Sequence, residues 1–211
     1  MSQCSVSYNR VGFYVYGNIK NNNVTVEGTS ISLTGCFAVD SQKYGYEIVG
    51  ITYSTISNCA ADGCGAPVSG ILNSQTEIGY PYMFSNSKNL TINSCGVEYC
   101  MSGIKFQNCK NVIFNSPSLL IDKRKDVKIT GNYTLNPIIN IRYSAYIVFN
   151  YMFVNASGLS RYYTANTPLL LLYGGKSEVT SVVIRNGYNG FKESNIGTEG
   201  YMVKSKNLVI Q

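Results

Sequence analysis

Two acidic residues repeat at a fixed offset. Cys59 to Cys64 and Cys95 to Cys100 have the form C-x4-C and lie 36 positions apart. Asp62 and Glu98 each sit three residues beyond the first cysteine of their pair. If that offset is one turn of a stacked chain, the carboxyl groups become neighbours at roughly 5 to 6 Å, from the spacing of paired strands. Two carboxylates at that distance suit glycosidic bond cleavage, one as acid to the leaving oxygen and the other as nucleophile or base. The plain alternative is two exposed acids on a turn. Glu77 is a reserve acid in the intervening run Asn73 to Tyr82. Tyr80 and Tyr82 in that run offer apolar ring faces and hydroxyls to a sugar. The runs Ser160 to Tyr163 and Asp40 to Glu47 are similarly polar and aromatic, and a packed loop or subunit contact accounts for any of the three equally well.

Other chemistries fall away. The chain has no histidine, which excludes Ser-His-Asp and Cys-His nucleophile systems and every His-ligated metal. The cysteine spacing departs from the usual zinc pattern. Small thiols at equivalent positions fit a stacked interior ladder better than a metal site. Stacked partners such as Cys59 and Cys95 would lie near disulfide distance. No metal or other cofactor is expected. Net charge is +6, yet the lysines and arginines are scattered, and the one dense run, Asp122 to Asp126, is flanked by acids. A solvated turn explains it better than a nucleic-acid groove. No stretch of 18 apolar residues suggests membrane insertion, and the polar Met1 to Asn9 is unlike a secretory signal.

The elements that must position these residues are short strands. Lys88-Asn89-Leu90-Thr91-Ile92-Asn93-Ser94 recurs 22 positions on as Lys110-Asn111-Val112-Ile113-Phe114-Asn115-Ser116. Related strands are centred on Val26, Ile56, Phe149, Ile184 and Ile210, with spacings of 30, 36, 22, 35, 35 and 26. Self-similar short strands with polar corners are the mark of a solenoid. The shortest spacing would be a bare coil and the longer ones coils with inserted loops. Partner strands are expected at Gly12 to Val15, Gly70 to Asn73, Gly103 to Phe106 and Gly200 to Val203, with Lys125 to Thr130 as another face of a coil. Asn58, Asn93, Asn115 and Asn150 would stack at or near corners, where amides bond along the pile. The expected fold is all-β: one single-stranded parallel β-helix over residues 1–211, with about seven coils and loop insertions.

The pattern resembles the right-handed parallel β-helix of the pectate-lyase-like superfamily, and more narrowly the bodies of bacteriophage tailspikes. The resemblance covers nearly the whole chain and carries no catalytic string. It implies a bacterial surface polysaccharide as ligand, a homotrimer or larger tail assembly as partner, and a virion location. Asp62, Glu98 and Glu77 are then the candidate catalytic acids, and Tyr80, Tyr82, Lys105, Arg161, Tyr162 and Tyr163 the candidate substrate contacts. On acidic sugars a lyase would use a cation such as Lys105 or Arg161 to neutralise the substrate carboxylate. A structural shaft or receptor-binding segment of a viral tail is the non-enzymatic alternative. The absence of a capping helix at either end leads to the expectation of a longer assembly.

Overall fold

The computed structural model describes residues 1–20, 23–66, 71–72, 78–124, 126–130, 136–155, 170–173, 182–185, 196–198 and 208–210. The described secondary structure is strand throughout, without a helix. The described strands form three long parallel sheets of eight, six and seven strands, the six-stranded one running from Ser5–Ser7 to Phe153–Asn155. Successive strands fall in different sheets, and each pairs with the strand one winding earlier and later. This is a parallel β-helix.

The register of the first sheet is a single ladder. Ile56 pairs with Ile92, Ile92 with Phe114, Phe114 with Phe149, Phe149 with Ile184, and Ile184 with Ile210. Two short strands, Gly28–Thr29 and Ser32–Thr34, both pair with Ile51–Ser57 and together make the first rung of seven. Leu33, not Val26, is the partner of Ile56. Val26 instead belongs to an antiparallel hairpin, Asn18–Lys20 with Asn23–Val26. That hairpin has the same β-branched alternation as a coil strand, so composition alone could not separate them.

Alternation sends every second residue inward, where like stacks on like. On the third sheet Phe13, Tyr46 and Tyr82 pile at ring-centroid separations of 5.0 and 4.8 Å. Phe84 stacks on Phe106 at 5.1 Å. Full burial of such a ring contributes roughly 1.5–3 kcal/mol. The buried phenols also bridge to the second sheet. Tyr46 donates to the Cys36 and Ala60 carbonyls, and Tyr82 donates to those of Cys59 at 2.8 Å and Gly96 at 3.3 Å. The interior cysteines are buried and unbridged, as in a stacked ladder. The Cys64 amide lies 3.1 Å from the Cys100 sulfur, 36 residues on.

Polar corners are stacked too. Asn115 donates to Asn93 at 2.9 Å, Asn150 to Asn115 at 2.8 Å, and Asn93 to Ser57 at 3.4 Å. A second amide pair joins Asn111 to Asn89, and a third Asn108 to Asn86. Asn86, Asn89, Asn108 and Asn111 all have φ between 49° and 55°. Asn tolerates this left-handed region better than most residues, so it serves the bend and the ladder at once.

One expected strand partner, at Gly70 to Asn73, is placed differently. Ile71–Leu72 pairs with Lys128–Ile129 and belongs to none of the three main sheets. The strand that stacks between Tyr44–Val49 and Ile104–Gln107 is Tyr80–Ser85. Gly200 to Val203 lies outside the described residues.

Candidate functional site

The elaborated corner of the coil lies where the second sheet turns into the third. Ala60–Asp62 and Gly96–Cys100 are adjacent strands of the second sheet, with Ala61 opposite Val97 and Asp62 opposite Glu98. Ala61 and Val97 are buried. The next residue in each strand therefore faces outward, and Asp62 and Glu98 are both exposed. Their backbones sit one rung apart, about 4.8 Å. Val39 flanks Asp62 on one side and Leu120 flanks Glu98 on the other, so the acids lie between apolar neighbours in one outward ladder.

A third acid and an arginine complete the group. The Asp40 amide donates to the Asp62 carbonyl at 2.8 Å, and the Gly63 amide to the Glu98 carbonyl at 2.9 Å. Arg124 Nη1 donates to Asp40 Oδ1 at 2.6 Å, while its Nη2 and Nε hold both oxygens of Asp126 at 2.6 and 3.0 Å. Gly63 has φ of +62°, and a side chain there would run into Asp40 and Arg124. The Asp62 carboxyl is pushed above its ordinary value, first by burial, then by the charges of Glu98 and Asp40, against the opposing pull of Arg124.

Around the same corner, at the start of the third sheet, lies a pocket of about 150 Å³ lined by Tyr44, Ile78, Gly79, Tyr80, Lys105, Asn136, Asn140 and Arg142. Lys105 Nζ stands 5.8 Å from the centre of the Tyr80 ring. Asn140 Nδ2 donates to the Tyr80 hydroxyl at 2.9 Å, and Arg142 Nε donates to Asn140 Oδ1 at 3.1 Å. Gly79 packs so closely on the Lys43 carbonyl that no side chain fits. Ser102 Oγ donates to the Gly79 carbonyl at 2.6 Å. Acid pair and pocket share a coil: the chain passes from Glu98 through Ser102 to Lys105. The long segments between the second and third sheets, from the windings before and after that one, pair with each other as Ile71↔Lys128 and Leu72↔Ile129.

The structure thus brings Asp62 beside Glu98 and Tyr80 beside Lys105. It removes Tyr82 from the surface: this ring is fully buried in the interior stack and cannot meet a sugar. The sequence hid this because Tyr80-Pro81-Tyr82 reads as a turn, whereas Tyr80–Ser85 is a central strand. Glu77, Arg161, Tyr162 and Tyr163 lie outside the described residues. Sequence reasoning placed Asp40 only at the head of a candidate loop, read Arg124 as part of a solvated turn, and missed Asn140 and Arg142. Asn140 and Arg142 had a visible signal as the polar members of the alternating run Ile139-Asn140-Ile141-Arg142.

No family model matches the chain, and no curated protein matches it. Among solved structures, that of the Acinetobacter phage vb_AbaP_AS12 gp42 tailspike superimposes on 99% of this chain with a TM-score of 0.60 and 15% sequence identity. The fold is that of a phage tailspike β-helix. This chain covers 34% of that tailspike's length.

Proposed function

We propose that this tailspike-like β-helix binds a bacterial surface polysaccharide and hydrolyses it with Asp62 as general acid and Glu98 as nucleophile. The supporting observation is the register that sets Asp62 opposite Glu98 on an exposed ladder. Retaining glycosidases hold their carboxyl groups about 5–5.5 Å apart, close to one strand spacing. Asp62, whose carboxyl is pushed above its ordinary value by burial and by its acidic neighbours, would give a proton to the glycosidic oxygen. Glu98 would attack the anomeric carbon as that bond breaks. Water would then enter, with Asp62 taking its proton and Glu98 leaving. Glu77 remains the reserve catalytic acid and Arg161, Tyr162 and Tyr163 substrate-contact candidates by sequence, with Lys105 and the mostly buried Tyr80 as candidates by position in the pocket.

A second reading, binding without cleavage, draws support from that pocket, which needs no catalytic pair. Under either reading the chain acts in the virion tail, as a homotrimer or as part of a larger spike, and light scattering of purified protein tests the assembly. Release of reducing ends from capsular polysaccharide tests the enzymatic reading. Asp62→Asn and Glu98→Gln should each lower the rate at least ~100-fold, the scale of a lost acid–base group. Undiminished release by both variants would remove the pair from the mechanism, and no release by the parent chain would leave the binding reading.

A further inference from the structure

We propose that Arg124 and Asp40 are a positioning pair for the cleavage: clamped together over Gly63, they hold a fixed set of charges beside Asp62 and so govern its proton transfer. The proposal rests on the reading of Asp62 as general acid and adds two residues that need not touch the glycan.

The contact is distant in sequence and tight in space. Asp40 follows the strand Phe37–Val39, and Arg124 follows Ser118–Ile121. Those strands lie three rungs apart in the second sheet, or about 14 Å. Arg124 Nη1 nevertheless meets Asp40 Oδ1 at 2.6 Å. The two side chains are only 20% and 19% exposed, so water screens the pair less than one on the open surface.

Both partners are anchored apart from the ion pair. The Asp40 amide donates to the carbonyl of Asp62 itself at 2.8 Å. On the far side, the Asp122 amide donates to the Cys100 carbonyl and the Val127 amide to the Arg124 carbonyl, each at 3.1 Å. Val127 is buried in the core. Asp126 takes Nη2 and Nε of the guanidinium, so all three of its nitrogens are bonded and its plane is set. Gly63, next in the chain after Asp62, is the seat: a side chain there would strike both Asp40 and Arg124.

Charge decides what the clamp does. Asp62 meets Asp40 from the preceding winding, Glu98 from the following one and Arg124 from the segment beyond. The Cys100 thiol is also within reach, but burial pushes it well above its ordinary value, so it carries no charge. Among these groups Arg124 is the only cation, and a guanidinium keeps its charge at every working pH. Two carboxylates therefore hinder the ionisation of Asp62, and Arg124 alone favours it. The clamp fixes the distance at which Asp40 and Arg124 exert these opposite effects.

The test reads Asp62 directly. The chain has four aspartates, so NMR of the full chain labelled with carboxyl-13C aspartate gives four side-chain signals, and Asp62→Asn assigns the one of interest. Arg124→Gln should raise the titration midpoint of Asp62 and Asp40→Asn should lower it, each by about half a pH unit or more, as removal of a neighbouring charge does. Arg124→Lys keeps the charge and should stay near the parent. Thermal melts confirm that each variant is folded. The high-pH limb of kcat/KM for reducing-end release should follow the midpoint in every variant, since the free enzyme must hold the proton it donates. An unmoved midpoint in both charge-removing variants, shifts of the same sign, or a Lys variant that titrates like Gln would overturn the pair. Midpoints that move as expected while the rate limb stays fixed would uphold the clamp on Asp62 and overturn Asp62 as the acid.

Discussion

Ala61 and Asp62 are consecutive residues of one strand and belong to opposite kinds of ladder. Ala61 faces Val97 inside, in a column where packing decides the residue. Asp62 faces Glu98 outside, in a column where stacking gains nothing from like residues and two like charges repel. The interior stack is repetitive because each winding meets the same cross-section: Phe13, Tyr46, Tyr82 on one side and Ile92, Phe114, Phe149 on another. The outward ladder Val39, Asp62, Glu98, Leu120 is heterogeneous. In a solenoid, then, repetition reports stability and departure from repetition reports chemistry.

Breaking the interior should cost most. Tyr82→Ala removes a ring from the middle of the stack together with its hydroxyl bonds to the Cys59 and Gly96 carbonyls. Its expected cost is about 3–5 kcal/mol, the range for buried aromatic truncation, read as a large fall in the denaturant midpoint. Tyr82→Phe keeps the ring and should lose only about 0.5–1.5 kcal/mol, the net worth of a hydrogen bond, since the Cys59 carbonyl keeps the Gly96 amide as a donor at 2.9 Å. If the two variants unfold alike, the hydroxyl and not the packing carries that position.

The corner ladders should rank next. Asn115→Ala leaves the Asn93 carbonyl oxygen and the Asn150 amide without their partner, at an expected cost of about 1–2 kcal/mol. Asn111→Gly, which breaks an exposed pair and leaves the φ of 55° unstrained, should cost less. Equal losses would mean that burial does not set the value of an amide ladder.

The smallest effect should have the opposite sign. The folded pKa of Asp62 is raised, so its ionisation weakens the fold once pH passes the folded value. The penalty disappears as pH falls back through the window towards the unfolded value. Asp62→Asn should therefore raise the melting temperature slightly at pH 7 and leave it unchanged below the ordinary carboxylate range. A drop at pH 7 would show that Asp62 serves the fold, as Ala61 does, and would blur the contrast between the two columns. Such a gain in stability is what removing a functional acid commonly brings.

Much of this architecture is legible in the sequence, because stacking copies local patterns. The ladder from Ile56 to Ile210, the Asn corners and the interior cysteines all follow from self-similarity, and so does the register that joins Asp62 to Glu98. What escapes is what repetition does not carry. Leu33 is hidden by a hairpin whose alternation imitates a coil strand. Tyr82 is hidden because a proline precedes it within a central strand. Arg124 reaches Asp40 across 84 residues, from a charged run that reads as a solvated turn. No local pattern announces such a contact, because inserted segments meet one another by shape.

The central claim is that adjacent windings set Asp62 and Glu98 one strand spacing apart so that they act as a pair on a glycosidic bond. The anomeric configuration of the first product, followed by NMR during cleavage of capsular polysaccharide, tests it directly. Retention of configuration is the predicted result, since that spacing leaves no room for a water between the carboxyl groups. Inversion, or an unsaturated sugar at the new end, would contradict it.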